Sequence, residues 1–486
     1  MKSLHMLILG VFLCVGRVAW AQGGDTIRLT TLDQTIAAAV KSNPTQEVYL
    51  QQMKQAALNY KAAQGFLYPN ASLGFNGTDN LNLAVTPIPG VIFGQPGTTI
   101  YAKFGKHYVY NTGLTLNQDI LTWTNVLQMK IARSNVELAH LQREAFLQSL
   151  KEQVARLYFS ALIARTALQI DGHDRQLADS VVVLSKQKLQ EGATDLMSVN
   201  LAAINSNSII QNQAQSQQLL DQSIENLKIL LGEKPADELL LVDSLGPDVS
   251  GLGRADGLPG GLATGAGAMG RDSAGAASGI GVVGVGLASG PGGSAGWRLG
   301  APVQLGADKN LVVYRQQQDI AGMQSRSQRS AAYPTVTATG FFGDQQFRDD
   351  FSLAFGSNAW SVYNYVALNI TIPLFTGLAN TNKYRSTLVQ KDIADLQLRS
   401  AVEQSAINDR LLVKSYADYL QMLEASAASF RLYGQNVRLD QQKYSEGLMS
   451  LDVYMKAFQD YLTAENTYLN NLSQLLSIQA TIISRQ

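Results

Sequence analysis

The sequence predicts a mixed α and β membrane protein made of two tandem structural repeats, and three observations carry that prediction. Lys188-Leu-Gln-Glu-Gly192-Ala-Thr-Asp-Leu196 returns as Lys443-Tyr-Ser-Glu-Gly447-Leu-Met-Ser-Leu451, about 255 residues later; this period is too long for a solenoid unit. Ahead of each copy lie segments that alternate between apolar and small polar residues. Between the alternation and the motif runs an amphipathic stretch far longer than an ordinary globular helix.

Taken in order, Lys2, the apolar run Met6 to Val15 and Ala19-Trp20-Ala21 read as a secretory signal over residues 1–21. That run is too short to span a bilayer of about 30 Å. Cys14, the one cysteine, lies inside the signal, and Leu13 before it is not the small residue a lipid anchor needs. The mature chain is therefore expected to lack disulfides, a thiol nucleophile and a zinc–thiolate site. Net charge is zero and 16% of residues are charged, which argues against nucleic acid, whose binding needs a concentrated basic face. No later segment offers ~18 consecutive apolar residues, so a membrane crossing must be made with strands.

Residues 29–69 read as helical. Thr30 and Thr31 stand at the start, Asn43-Pro44 punctuates the stretch, and a second helix runs to Tyr68-Pro69. After the proline, Ala71, Leu73 and Phe75 alternate with Ser72, Gly74 and Asn76; beyond a Pro/Gly-rich loop at 85–100, Leu114 and Leu116 alternate with Thr115 and Asn117. The second repeat does the same. Tyr333-Pro334 leads into Val336, Ala338 and Phe342, and later Val366, Leu368 and Ile370 alternate with Ala367, Asn369 and Thr371. One apolar and one small polar face is the pattern of a strand wetted on one side. Tyr101, Phe104, Tyr108, Tyr110, Trp360, Tyr363 and Tyr365 gather near these strands, as in a membrane-interface girdle. On the strand segments alone a soluble sandwich fits equally well.

The helices favour the membrane reading. From about 125 to 190 there is no proline, and Leu150, Val154, Leu157, Ala161, Ala164 and Leu168 step by coiled-coil spacings. Leu412, Tyr416, Tyr419 and Leu423 repeat that phase in the stretch from about 378 to 446. At roughly 1.5 Å per residue each would reach about 100 Å. Each turns at its Glu-Gly motif and returns as a shorter helix, about 195–232 and 450–484. Helices at about 44–68 and 308–332 supply nearly the missing length. Four strands cannot close a membrane barrel, whose smallest number is about eight, so several chains must share one unless the strands form a soluble sheet.

The ordered set resembles the TolC-like outer membrane efflux protein family. It comprises Leu29-Thr-Thr-Leu-Asp-Gln-Thr-Ile with Asn43-Pro44, the two Tyr-Pro junctions, Leu114-Thr-Leu-Asn-Gln-Asp-Ile-Leu, Leu368-Asn-Ile-Thr-Ile-Pro-Leu-Phe-Thr-Gly and the two Glu-Gly turns. The resemblance implies a homotrimer whose shared twelve-stranded outer membrane β-barrel, four strands per chain, continues into a long periplasmic α-helical barrel. It implies outer membrane lipid, a periplasmic membrane-fusion adaptor and an inner membrane transporter as partners, with no catalytic residues, cofactor or metal. The implied domains are a first repeat at 22–248 (β-hairpin 70–121, helix hairpin 124–232) and a second at 307–486 (β-hairpin 335–374, helix hairpin 377–485).

By the same resemblance, Gly192 and Gly447 dock the adaptor, with Glu191, Leu196, Glu446 and Leu451 beside them, and Tyr444 matches a tyrosine that helps hold the tunnel shut. A tight reversal between helices favours glycine, which also merely ends helices. Asp195, Asp452 and Lys456 are candidates for the narrowed lumen, against the plainer reading of solvated surface charge.

Two departures stand out. Asp119 occupies the place of Pro373, which suggests a different kink or a lumen-facing carboxylate. Residues 249–300 hold 18 of the chain's 42 glycines, so 249–306 reads as a flexible insertion or linker, an elaborated recognition loop or a reading-frame excursion. Gly279-Ile-Gly281-Val-Val-Gly284 matches a dinucleotide fingerprint without the following helix or acidic residue. His5, His107, His140 and His173 are scattered. The function expected is a passive outer membrane exit duct of a tripartite efflux or type I secretion system. The alternative is a periplasmic coiled-coil structural or adaptor protein.

Overall fold

A computed structural model describes residues 26–243, 245, 305–356 and 359–486. The expected signal at 1–21, and 249–306 apart from its last two residues, lie outside the described residues. The chain forms two compact units, each drawn from both repeats. One holds the described residues up to Pro44, Ser149–Gly306 and Leu411–Gln486; the other holds Thr45–Gln148 and Ala307–Arg410.

The first repeat opens with β1 (Thr26–Leu29), α1 (Leu32–Ser42) and α2 (Pro44–Ala63). Thr31 caps α1 by accepting from the Gln34 amide, and Pro44 starts α2 where no amide donor is needed. The helix expected to reach Tyr68 stops at Ala63. Gly65–Leu67 form a 3₁₀ turn, and Pro69 drives Tyr68 to extended backbone. Strands β2 (Asn70–Asp79), β3 (Val85–Pro89), β4 (Thr99–Lys103) and β5 (Tyr108–Leu121) follow, then helices α3 (Trp123–Gln190) and α4 (Leu196–Leu231) and strand β6 (Glu238–Leu241). The second repeat supplies α5 (Lys309–Ser330), β7 (Thr335–Arg348), β8 (Ser361–Thr371), α6 (Ala379–Ser445) and α7 (Leu451–Ser484).

In the unit of residues 45–148 and 307–410, the four expected strands form one antiparallel sheet ordered β2-β5-β7-β8. Pairing of β5 with β7 joins the two repeats, and β2 and β8 are left as edges. The register puts Leu73, Leu114 and Phe342 on one face with Val366, Leu368 and Ile370. All six are exposed. Ser72, Asn76, Asn117, Thr339, Asn369 and Thr371 share the other face.

The aromatics divide between these faces, which corrects the single girdle. Tyr108 and Tyr110 share the apolar face, and the Tyr110 ring stacks on Phe75 at 6.0 Å. Tyr363 and Tyr365 lie on the polar face around Phe341, at 5.8 and 5.7 Å. Position parity decides this, since 363 and 365 alternate with the apolar 362 and 366. The Phe341 ring covers Gly113 and Gly343, which oppose each other across β5 and β7. A Cβ on Gly113 would stand 2.6 Å from the Phe342 carbonyl and 2.8 Å from that ring.

The stretch expected as a loop holds a ribbon, with β3 paired to β4 and Pro87 opposite Tyr101. A two-stranded ribbon has two open edges, so proline's missing donor is tolerated there. The strand-to-helix passages differ, as Asp119 suggested. In β5 the pairing slips between Asp119 and Leu121, and the Asp119 carboxylate accepts from Asn125 Nδ2 at 2.8 Å at the start of α3. After β8 the chain turns instead through left-handed Gly377 and Leu378 beyond Pro373.

The other unit holds the helical seam. The buried residues of α7 step by three and four through Leu451, Tyr454, Phe458, Tyr461, Glu465, Tyr468, Leu472 and Leu475, and Tyr416, Leu423, Phe430, Val437 and Tyr444 of α6 recur every seventh residue. Such a seven-residue repeat keeps one stripe facing its partner helices. Leu150, Val154, Ala161 and Ala164 of α3 are buried as expected, while Leu157 and Leu168 are half-buried. A parallel pair of β1 with β6 was not expected from sequence; strands of four residues leave too little alternation to read. The end of α4 is received by the α1–α2 junction, where Ser42 Oγ and Asn43 Nδ2 donate to the carbonyls of Leu231 and Leu230 at 2.6 and 2.8 Å.

Candidate functional site

The two Glu-Gly turns are the same structure made twice. Helix α3 ends with the Ala193 amide donating to the Lys188 carbonyl at 2.8 Å and the Gly192 amide to that of Leu189 at 3.1 Å. At the end of α6 the Leu448 amide bonds the Lys443 carbonyl at 2.9 Å and the Gly447 amide that of Tyr444 at 3.1 Å. This paired closure needs a left-handed residue just past the helix, and Gly192 and Gly447 have φ of +70° and +75°. Both glycines are exposed, with open space where a Cβ would stand on Gly192.

The return helices start differently. Asp195 caps α4, its Oδ1 accepting from the Ser198 amide at 2.8 Å, and that bond holds its carboxyl below the usual range. Ser450 stands at the same place before α7 without a side-chain cap bond. Asp452 lies in the first turn of α7, where an acid suits the helix dipole, and Asp452 and Lys456 are both exposed. Glu191 and Glu446 are exposed, and Glu446 accepts from Gln442 Nε2 at 3.1 Å. Leu196 is 63% exposed, whereas Leu451 is 5% exposed and belongs to the core. The outward apolar groups beside the turns are therefore Leu196, Met197 and Leu448, the last two not singled out by sequence.

Tyr444 ties the hairpins together. It is buried, and its phenol pairs with Ser185 Oγ at 2.9 Å. Lys188 Nζ donates to the Tyr444 carbonyl at 2.6 Å and stands 4.7 Å from its ring centroid. Gln441 Nε2 donates to Ser180 Oγ at 2.8 Å one turn away. Behind Tyr444 a ladder of rings continues through Tyr454, Phe458 and Tyr461, each 5.9–6.1 Å from the last, and on through Phe430 to Tyr468. Ser185 and Lys188 were missed as partners of Tyr444. Lys188 opens the repeated motif, which was the available signal; Ser185 carried none.

The strands thus carry one apolar and one polar face and end in two open edges, and the long helices fold back as two hairpins; the class of protein this fold belongs to is that of outer membrane efflux proteins. The family model described as "Outer membrane efflux protein" matches residues 35–233 and 304–484, and the chain belongs to that family. Among solved structures it is similar to the CmeC outer membrane channel of Campylobacter jejuni, at 16% identity and a TM-score of 0.66, covering 93% of this chain and 85% of that one. It is similar to the outer membrane protein VceC of Vibrio cholerae at 17% identity and 0.63, covering 93% of each chain. The open-state MtrE outer membrane channel of Neisseria gonorrhoeae matches at 15% and 0.62, covering 93% and 88%. No curated protein matches. The chain is an outer membrane efflux channel extending into the periplasm, with the fold of channels that join a β-barrel to an α-helical barrel. The periplasmic structural or adaptor alternative is set aside by these findings.

Proposed function

We propose that three copies of the chain share one twelve-stranded barrel and act as the passive exit duct of a tripartite efflux or type I secretion system. The observation that carries this reading is the four-stranded sheet with two unpaired edges and an exposed apolar face. An edge strand in lipid has unmet hydrogen-bonding groups, so β2 and β8 need neighbours. Three sheets of four give twelve strands, enough to close; one does not. The repeats at 22–248 and 307–486 then each contribute a β-hairpin and a helix hairpin per chain, joined by 249–306 behind a signal at 1–21.

In this reading the Glu-Gly turns form the periplasmic tip and meet a membrane-fusion adaptor coupled to an inner membrane transporter. Gly192 and Gly447 allow close backbone approach, flanked by Glu191, Glu446 and Leu196, with Leu451 supporting from the core. Tyr444 with Ser185 and Lys188 holds the tip closed, and Asp195, Asp452 and Lys456 face the narrowed passage. A neutral hydrogen bond is worth about 1 kcal/mol and a charged one about 1.5–3. Adaptor docking opens that latch, without an energy source in the duct, to the extent that the adaptor binds the open tip more tightly than the closed one. The chain performs no chemistry, and the pump sets the substrate.

Efflux by a strain lacking other ducts tests this. The wild-type chain restores resistance, and Gly192→Trp with Gly447→Trp removes it while the trimer still inserts. Full resistance with both turns blocked contradicts the docking site.

A further inference from the structure

Acids interrupt the apolar seam between α3 and α7. Asp174 is fully buried, Glu465 is 5% exposed and Asp171 7%. Glu465 takes the seam position between Tyr461 and Tyr468, where every neighbouring step is apolar or aromatic.

Their partners supply no positive charge. Tyr461 Oη donates to Asp174 Oδ1 at 3.0 Å, and the other oxygen, Oδ2, is buried without a donor. The remaining side chain in hydrogen-bonding contact with Asp174 is the Glu465 carboxyl. Asp171 accepts from Ser216 Oγ of α4 at 2.6 Å. From α6, the charges of Arg438 and Asp440 reach Tyr461 and Tyr454 respectively. Among the described residues none of the three acids forms an ion pair. Nor is any group of three His, Cys, Asp or Glu residues placed to hold a metal.

Two carboxyls in contact and both buried disfavour ionising together, and a buried acceptor without a donor is costly. We propose that Asp174 and Glu465 form a proton-binding site, one shared proton joining α3 to α7 and its loss loosening the helical seam. Burial, and next the Asp174 charge, hold the Glu465 carboxyl far above the ordinary carboxylate range. Burial also lifts Asp174, while bonds from Glu465 and Tyr461 draw it partly back. An open cleft lined by Asp171, Ser216, Asn466 and Glu465 itself gives the proton a path to water.

The sign of the effect follows from proton counts. The closed seam binds a proton that an opened, hydrated seam releases near the usual carboxylate pKa. Closure is therefore strongest in acid and weakens as pH rises above that range, by about tenfold in the opening equilibrium per pH unit while one proton is released. This device is independent of whether the tip meets an adaptor.

The test uses the full chain reconstituted in bilayers. Hydrogen exchange over residues 461–472, corrected for the chemical exchange rate, is followed from acid to alkaline pH in wild type and Glu465→Gln. Glutamine keeps a hydrogen-bonding group but no proton to lose, so the steep opening of wild type in the alkaline range disappears and only the smaller dependence from Asp174, at lower pH, is left. Infrared spectra of wild type at neutral pH should also show a buried carboxylic acid band that disappears in alkali. An equal pH slope in Glu465→Gln, or a neutral-pH spectrum without that band, overturns the proposal. The spectrum decides alone if the variant does not assemble.

Discussion

The phenol of Tyr444 and the hydroxyl of Ser185 lie 2.9 Å apart, so the last turns of the two long helices are tied by a single buried hydrogen bond. Lys188 adds a charged bond to the same tyrosine's carbonyl. Because both sit within about two helical turns of the Glu-Gly reversals, movement of either turn works directly against them.

Tyr444→Phe keeps the stack on Tyr454 but leaves Ser185 without its partner. A loss of about 1 kcal/mol predicts a roughly fivefold rise in basal conductance of the purified channel in planar bilayers. Lys188→Met removes the stronger bond and should leak more. Conductance unchanged in both variants would show that this contact does not hold the tip.

The turn glycines make a graded prediction. Alanine at Gly447 must adopt a left-handed backbone, at a cost of about 1–2 kcal/mol, with space for the methyl group. Gly447→Ala should lower the thermal midpoint slightly yet keep adaptor binding, while Gly447→Trp should abolish binding by bulk. Co-purification of the adaptor distinguishes them, and equal retention by both speaks against a close approach at this turn.

The sheet's faces separate adjacent residues. Leu368 is 65% exposed on the apolar face, and Asn369 lies on the polar one. Leu368→Arg puts a charge into lipid at a cost of about 2–4 kcal/mol near the bilayer midplane, whereas Asn369→Arg stays in the wetted interior. Outer membrane yield should fall for the first and hold for the second; the reverse order would invert the assignment of the faces.

The ring ladder fixes where stability resides. Phe458 is fully buried between Tyr454 and Tyr461, and Phe458→Ala should cost about 3–5 kcal/mol. Leu196→Ala, at an exposed position, should change thermal stability within about 0.5 kcal/mol. Comparable melting shifts would mean the seam is not the core.

Much of this architecture was legible because long elements repeat their signal. The two 3.5-residue patterns and the four alternating strands recur often enough to fix type and face, and Gly192 and Gly447 announced their turns by standing in the same motif. What stayed hidden was short or relational. Strands β1 and β6 are four residues each and gain meaning only by pairing. Ser185 is an ordinary helix serine until Tyr444, 259 residues away, lies against it. Composition groups Tyr363 and Tyr365 into a girdle, although their alternation with Val362 and Val366 places them on the opposite face. Glu465 was invisible for the opposite reason: a charged residue is read as surface, and only the unbroken step from Tyr461 to Tyr468 exposes it as core.

The central claim is that the chain is incomplete alone and closes its barrel by sharing strands. Native mass measurement of protein extracted from the outer membrane fraction tests it most directly. Three chains per particle, resistant to separation until heated, is the predicted result. A single-chain particle, or recovery only from the soluble periplasm, would contradict it.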